Sequence, residues 1–343
     1  MANSLILPGD VKPLIFGICG TELTIAEKEL FQANPVFGFI LFSRNIVSSK
    51  QLLLLVKELK SLYDSHDVKI FVDQEGGRVA RIKPPIIEKL YPTGEHIASK
   101  YLDIIKESNE NVALKFVYDN YFSLMQELRQ FDIDSPLAPI CDLRFPNTHL
   151  AIGDRSFGNN PEIVIKLSKQ AIKAITDAGG IPCIKHIPGH GRAELDSHLD
   201  LPCIDTDLEI LENTDFRIFK DLAKSVSLGM TNHIIYKNLD PELPVTLSSR
   251  AIDYIRQNIG FKGILVTDDI CMYALHGEVG RKLSNLKKNT SDEEFSLKKE
   301  QFKTDFIASL VKVTKMSLDA GCDLVIHCSG DIDEMKSICQ NFK

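Results

Sequence analysis

Short apolar runs recur along this chain, and most are followed by a stretch whose apolar residues repeat with helical spacing. Leu14-Ile15-Phe16-Gly17-Ile18 precedes Thr24-Ile25-Ala26-Glu27, a capping box that opens a helix to about Ala33. Phe37-Gly38-Phe39-Ile40-Leu41-Phe42 precedes a helix capped by Ser48 and Gln51, with Leu52, Leu55, Val56, Leu59 and Leu62 on one face. Lys69-Ile70-Phe71-Val72 ends at Asp73, the sequence over 95–130 is mostly helical, and 133–140 reads as a strand weakened by Pro136. Asn160 and Pro161 then start a helix with Val164, Leu167, Ala171 and Ile175 on its apolar face. Gly179-Gly180 closes that helix before the run Ile181-Pro182-Cys183-Ile184. Thr206-Asp207-Leu208-Glu209 forms another capping box. Later strands are expected at 227–230, 264–267 and 323–326, with Ser248 capping a helix that stops at Gly260. A strand–helix alternation of this length requires parallel strands joined by crossovers, so the predicted fold is a single α/β (β/α)8 TIM-type barrel with some irregular strands. An open doubly wound sheet shares the pattern and is the alternative.

The polar residues sit where such a fold uses them. Asp73, Arg155, Lys185-His186, Asn232-His233 and Asp268-Asp269 lie on the carboxyl side of apolar runs or on loops there, and that end of a parallel barrel carries the chemistry. One stretch stands out: Lys185-His186-Ile187-Pro188-Gly189-His190-Gly191-Arg192-Ala193-Glu194-Leu195-Asp196-Ser197-His198. Its proline and glycines exclude a regular element, and its load of titratable groups exceeds what a connection needs. Side chains alternate along a strand, so only one of Asp268 and Asp269 faces the barrel mouth. A carboxylate there can act as nucleophile if a second group moves the proton. His198, with Asp196 two residues away to fix its tautomer, is the candidate. Asp-x-His alone is more readily a solvated loop pair, and its company on the glycine-rich loop reverses that preference. Two other readings stay open. One is a metal-dependent barrel hydrolase with His186, His190, His198 and Asp268 as ligands, and the other is a catalytically silent binding protein.

Composition narrows the partners. The chain has 343 residues, 44% hydrophobic and 25% charged, enough to bury one large core, and the net charge of −7 speaks against nucleic acid or an anionic membrane surface. No apolar segment is long enough for a membrane span or a signal peptide, so a cytoplasmic protein is expected, taken as a monomer. Eight cysteines lie scattered without Cys-x-x-Cys spacing and read as buried free thiols. The whole chain, 1–343, is read as one domain with a polar insertion at about 277–304. That stretch has little apolar surface to anchor it and is expected to form a mobile flap beside the site.

The segment Lys185-His186-x-Pro188-Gly189-His190-Gly191-x4-Asp196-Ser197-His198 resembles the signature of bacterial β-N-acetylhexosaminidases of glycoside hydrolase family 3. The resemblance continues, in order, through Gly38-Phe39-Ile40-Leu41-Phe42-Ser43-Arg44-Asn45, Asp73-Gln74-Glu75-Gly76-Gly77-Arg78-Val79-Ala80-Arg81, Ala138-Pro139 with Asp142-Leu143, and Gly153-Asp154-Arg155-Ser156-Phe157. It extends to Met230-Thr231-Asn232-His233-Ile234-Ile235-Tyr236, Thr267-Asp268-Asp269-Ile270-x-Met272 and Ala320-Gly321-Cys322-Asp323. It implies retaining hydrolysis of terminal, non-reducing β-linked N-acetylglucosamine from a muropeptide or disaccharide, with the usual duty of recycling peptidoglycan in the cytoplasm. By resemblance Asp268 is the nucleophile, and His198, oriented by Asp196, is the acid/base. Asp73, Arg81, Arg155, Lys185 and His186 fall on sugar-binding positions, and no metal or organic cofactor is required. Arg78 is expected to brace Asp73 or Glu75, and His190 and His233 to have structural hydrogen-bonding roles.

Overall fold

The computed structural model describes residues 5–342. Seven parallel strands form one curled sheet: β1 (Lys12–Gly17), β2 (Val36–Leu41), β3 (Lys69–Val72), β4 (Cys183–Ile187), β5 (Leu228–Thr231), β6 (Ile264–Asp269) and β7 (Leu324–His327). They run in the order β3-β2-β1-β7-β6-β5-β4. The gap between β3 and β4 is spanned by 133–140. Ser135 bridges Phe71 and Ile140 bridges Lys185, both in parallel sense. The Ser135 carbonyl accepts from Val72 at 3.0 Å, and the Ala138 carbonyl accepts from Cys183 at 2.9 Å. This closes the predicted barrel. The expected strand at 133–140 is thus an eighth stave without a continuous ladder. Pro136 and Pro139 have no N–H to donate, and Leu137 takes a positive φ of 47°.

Side-chain alternation divides the core in two. Ile15, Phe71, Leu137, Leu228, Val266, Leu324 and Ile326 fill the barrel interior, while Phe16, Phe39, Val72, Ile184, Leu265 and Val325 face the helices. Each large side chain removed from water in this way contributes about 1.5–3 kcal/mol. The first helix, Ile25–Ala33, starts with the predicted capping box, its Thr24 and Glu27 side chains each accepting a backbone N–H. Asn160 caps Pro161–Asp177 and Ser248 caps Ser249–Tyr254 as expected. The box predicted at Thr206 does not form. Helix Leu208–Asn213 has no side-chain cap, because the preceding residues leave the small pairing of Cys203–Ile204 with Ile235–Tyr236 in extended form.

Two expectations change. The polar stretch 277–304 is helical: Gly277–Asn289, Asp292–Lys298 and a short turn Lys299–Phe302. Its few apolar residues are concentrated where they count, with Leu283 and Phe295 buried and Phe295 beside Tyr273. The cysteines are all free, but Cys19 and Cys203 are exposed and Cys271 is only partly buried. Among the described residues no helix is long and apolar enough to cross a membrane.

Candidate active site

Five charged groups interlock at the carboxyl end of β3 and β4. The Lys185 side chain is almost wholly buried, and its ammonium reaches Asp73 Oδ1 at 3.1 Å and Glu75 Oε1 at 2.7 Å. Arg81 donates to Asp73 Oδ2 at 3.0 Å, and Arg155 grips Glu75 with two bonds of 2.7 Å. Burial alone would raise the pKa of the Asp73 carboxyl. Lys185 and Arg81 outweigh it and hold that carboxyl well below the usual carboxylate range, while Arg155 and Lys185 do the same for Glu75. Two carboxylates and three cations leave this cluster with one excess positive charge, with fixed donors suited to the oxygens of a polar ring. Arg78 does not join them. It pairs with Asp154 at 3.0 Å and donates to the carbonyls of Ala151 and Ile152, so it braces the loop that carries Arg155 and touches neither Asp73 nor Glu75.

A second unit is built on Asp142, which is fully buried after the 133–140 stave. Its carboxylate accepts the backbone N–H of His186 (3.1 Å) and of His190 (2.7 Å), and it lies 2.7 Å from His186 Nδ1. This fixes the imidazole with Nε2 directed at Asp268, 3.9 Å from Oδ2. Asp268 is the member of the Asp268-Asp269 pair that faces the mouth. Burial would raise its pKa, but His186, His233 and His198 lower it, so Asp268 is ionised at neutral pH. Asp269 instead accepts the backbone N–H groups of Cys271 (2.9 Å) and Cys328 (3.1 Å). His190 is bonded to Ser197 at 3.0 Å, and burial with His186 nearby brings its pKa down to about 4, so it is neutral. His233 spans Thr246 (2.8 Å) and the Asp269 carbonyl (3.0 Å). Both histidines thus have the hydrogen-bonding positions expected of them.

The loop that follows β4 is pinned at its root and open at its tip. Asn232 donates to the carbonyls of His186 (3.2 Å) and Gly189 (3.0 Å), and a Cβ at Gly191 would collide with the Leu143 carbonyl. At the tip, Asp196 Oδ1 accepts from the His198 backbone N–H at 3.0 Å and lies 2.7 Å from its Nδ1. The bond to His198 lowers the Asp196 carboxyl to about 2, and the same bond, helped by Asp268, raises the His198 pKa. His198 therefore keeps its proton further into the neutral range, with Nε2 free to deliver it. The loop is also held from outside: the Tyr273 N–H donates to the His198 carbonyl at 3.0 Å, and Lys288 of the 277–304 segment meets Asp200 at 2.5 Å.

The structure thus brings together Asp73, Arg81, Arg155, Lys185, His186 and Asp268, and places Asp196 and His198 above them on the loop. Glu75 and Asp142 lie within the sequence motifs, and Glu75 is an expected partner of Arg78, but sequence reasoning gave neither a place in the site. The rule that polar residues after apolar runs line the mouth would have found Asp142, but nothing local marks Glu75 as the shared partner of Lys185 and Arg155. Among the described residues, no three of His186, His190, His198 and Asp268 bring ligand atoms within 4.8 Å of one another. Two of these rings are already engaged by Asp142 and Ser197.

Residues 19–343 match the glycosyl hydrolase family 3 N terminal domain. The chain is 30% identical over 321 residues to a beta-hexosaminidase of Xylella fastidiosa, covering 93% of this chain and 84% of that protein. It is 32% identical over 319 residues to a beta-hexosaminidase of Alkalilimnicola ehrlichii, covering 92% and 80%. Among solved structures it matches NagZ from Neisseria gonorrhoeae with a TM-score of 0.79 at 28% identity, over 97% of this chain and 86% of that one. The same enzyme has been solved with N-trifluoroacetyl-D-glucosamine bound. With a parallel barrel, an ionised carboxylate at the end of β6 and a histidine loop after β4, the chain belongs to glycosyl hydrolase family 3 and is a glycoside hydrolase.

Proposed function

We propose that the protein is a retaining β-N-acetylhexosaminidase that releases terminal, non-reducing β-linked N-acetylglucosamine through a covalent glycosyl-aspartate. The observation that carries this reading is the pairing of an ionised Asp268 in the mouth with the Asp196–His198 dyad on the loop. In the first step the Asp268 carboxylate forms a bond to the anomeric carbon as the bond to the glycosidic oxygen breaks, and protonated His198 gives its proton to that oxygen. In the second step neutral His198 takes a proton from water, the water oxygen bonds to the anomeric carbon, and Asp268 is released. Asp73, Arg81, Arg155, Lys185 and His186 hold the sugar: carboxylate oxygens accept from hydroxyls, and the cations donate to hydroxyl or acetamido oxygens. The whole chain serves as one catalytic domain, with 277–304 as an insertion beside the loop.

The relatives called beta-hexosaminidase, and the neighbour that binds an N-acylglucosamine, support the substrate class. The natural substrate is proposed to be an anhydro-muropeptide or disaccharide in the cytoplasm, within peptidoglycan recycling, handled by a monomer without cofactor. Turnover of 4-nitrophenyl β-N-acetylglucosaminide is the test, run with and without chelator. The reading requires activity that chelation leaves unchanged and that Asp268→Asn abolishes. Binding of the sugar without turnover would return the protein to a silent lectin-like role, and loss on chelation would favour metal-dependent hydrolysis.

A further inference from the structure

Outside the reaction centre, on the side of the sheet that packs against helices, lies a cluster that the proposed chemistry does not use. Cys271 is on the turn after β6, His327 ends β7, and Glu334 is in the first turn of helix Ile332–Asn341. One ligand atom from each lies within 4.8 Å of the others. His327 is 0% exposed and Glu334 8%. One ring nitrogen of His327, Nε2, lies 2.8 Å from Glu334 Oε2, which also accepts from Ser329 Oγ at 2.5 Å. The other, Nδ1, is buried with no hydrogen-bond partner among the described residues. Nε2 is thus the ring nitrogen that faces Glu334 and Ser329, and it is the one placed to ligate an ion there.

Cys271, Ser329 and Glu334 also line a cavity of ≈ 130 Å³, room for an ion and a water. Lys299 and Lys303 border the cavity together with Glu300 and Asp331, and the Lys303 charge is matched by Asp331 (3.2 Å) and Asp333 (2.8 Å). Burial and the nearby carboxylates of Asp269 and Glu334 keep the Cys271 thiol protonated in the absence of a cation.

We propose that Cys271, His327 and Glu334 form a structural site for a zinc-like divalent ion, separate from the reaction centre, with a water or Ser329 in the fourth position. Thiolate, imidazole and carboxylate are the donor set that zinc takes in tetrahedral geometry, and the thiolate disfavours magnesium or calcium. On binding, the Cys271 S–H bond breaks, its proton leaves to solvent and the S–metal bond forms, with no change of oxidation state. The ion ties the ends of β6 and β7 to the last helix. Asp269 Oδ1 binds the backbone N–H of both Cys271 and Cys328, so the tie lies directly behind the strand end that presents Asp268. It supplies no step of hydrolysis, so chelation leaves activity unchanged at temperatures where the chelated chain stays folded.

Cobalt(II) titration of the chelator-treated full chain tests this. The expected result is one ion per chain with a thiolate-to-cobalt charge-transfer band, displaced by zinc, and zinc should raise the unfolding temperature. Cys271→Ser should abolish the band and weaken zinc binding by about 100-fold or more, since even outer partners of a metal site cost roughly 10–100-fold. Glu334→Gln keeps the thiolate, so it should retain the band at lower affinity, and it covers the case in which the cysteine variant fails to fold. The proposal is overturned if wild type shows no thiolate band or if the band survives Cys271→Ser. It is equally overturned if cobalt binding is lost in Asp268→Asn and kept in Cys271→Ser, which would place the ion at the reaction centre.

Discussion

Replacing Asp196 by alanine separates proton transfer from sugar binding. The carboxylate makes two contacts, to the His198 backbone N–H (3.0 Å) and to Nδ1 (2.7 Å), and holds the ring in one tautomer. A hydrogen bond to a charged group contributes about 1.5–3 kcal/mol when buried, but the His198 side chain is 63% exposed, so solvent screening brings this pair down to ~1 kcal/mol or less. Loss of that interaction is worth up to about 5-fold in rate, and loss of tautomer and angle roughly another 10-fold, a part of the ~10²–10⁴-fold typical of general acid–base assistance. The expected result is a fall in kcat/KM of about 10–100-fold on a disaccharide with a poor leaving group. The glycosylation step on an activated phenyl glycoside, which departs with little protonation, should lose only a few-fold. The pH profile should move as well. His198 must be protonated for the first step, and Asp196 is the main cause of its raised pKa, so the alkaline limb of kcat/KM should shift to lower pH in the variant. In the folded protein this pair is stabilising below the ordinary histidine pKa, and the contribution fades as pH rises through the raised value. An exposed pair is worth at most ~1 kcal/mol, so the unfolding temperature should barely change. Equal slowing of activated and natural substrates, an unmoved alkaline limb, or a large loss of stability would refute the acid/base assignment.

A slow fluorosugar inactivator followed by peptide mapping should label Asp268; label on Asp269, or turnover without any label, would instead indicate attack by the substrate's own acetamido group. Lys185→Met removes the ammonium shared by Asp73 and Glu75, which keep Arg81 and Arg155, so chemical denaturation should show a loss of about 1–3 kcal/mol, and sugar affinity should fall with it. Phe295→Ala removes the main apolar anchor of the 277–304 helices and should cost about 3–5 kcal/mol or, if that segment opens locally, appear as fast hydrogen exchange confined to it. Lys288→Ala breaks only the tether to Asp200 on the catalytic loop, so KM for large muropeptides should change more than KM for a small chromogenic substrate. Equal effects on both would remove the segment from leaving-group recognition.

Much of the barrel was legible before any coordinates because strand runs, helix caps and turn glycines are local physics. Thr24 and Glu27 satisfy N–H groups within the same helix turn, and Phe37 to Phe42 can be buried only as a strand covered on both faces. The catalytic candidates share that property. Asp196 and His198 are two residues apart, and Asp268 lies at the carboxyl end of its own strand, so the contact within the dyad and the end of the barrel that Asp268 occupies follow from local sequence.

Tertiary structure decided whatever depends on pairs distant in sequence. Glu75 meets Arg155 eighty positions away and Asp142 meets His186 forty-four away, and only barrel closure brings them together. Arg78 went to Asp154 and not to Asp73 or Glu75 because Arg81, Arg155 and Lys185 already occupy those carboxylates. Composition over 277–304 pointed to an unanchored flap, since a window average cannot show that Leu283 and Phe295 find buried positions. The 133–140 stave is the same lesson in backbone form. Its prolines remove donors, and the carbonyls that face Val72, Gln74 and Cys183, with the Ser135 N–H on Ile70, let an irregular segment close the sheet.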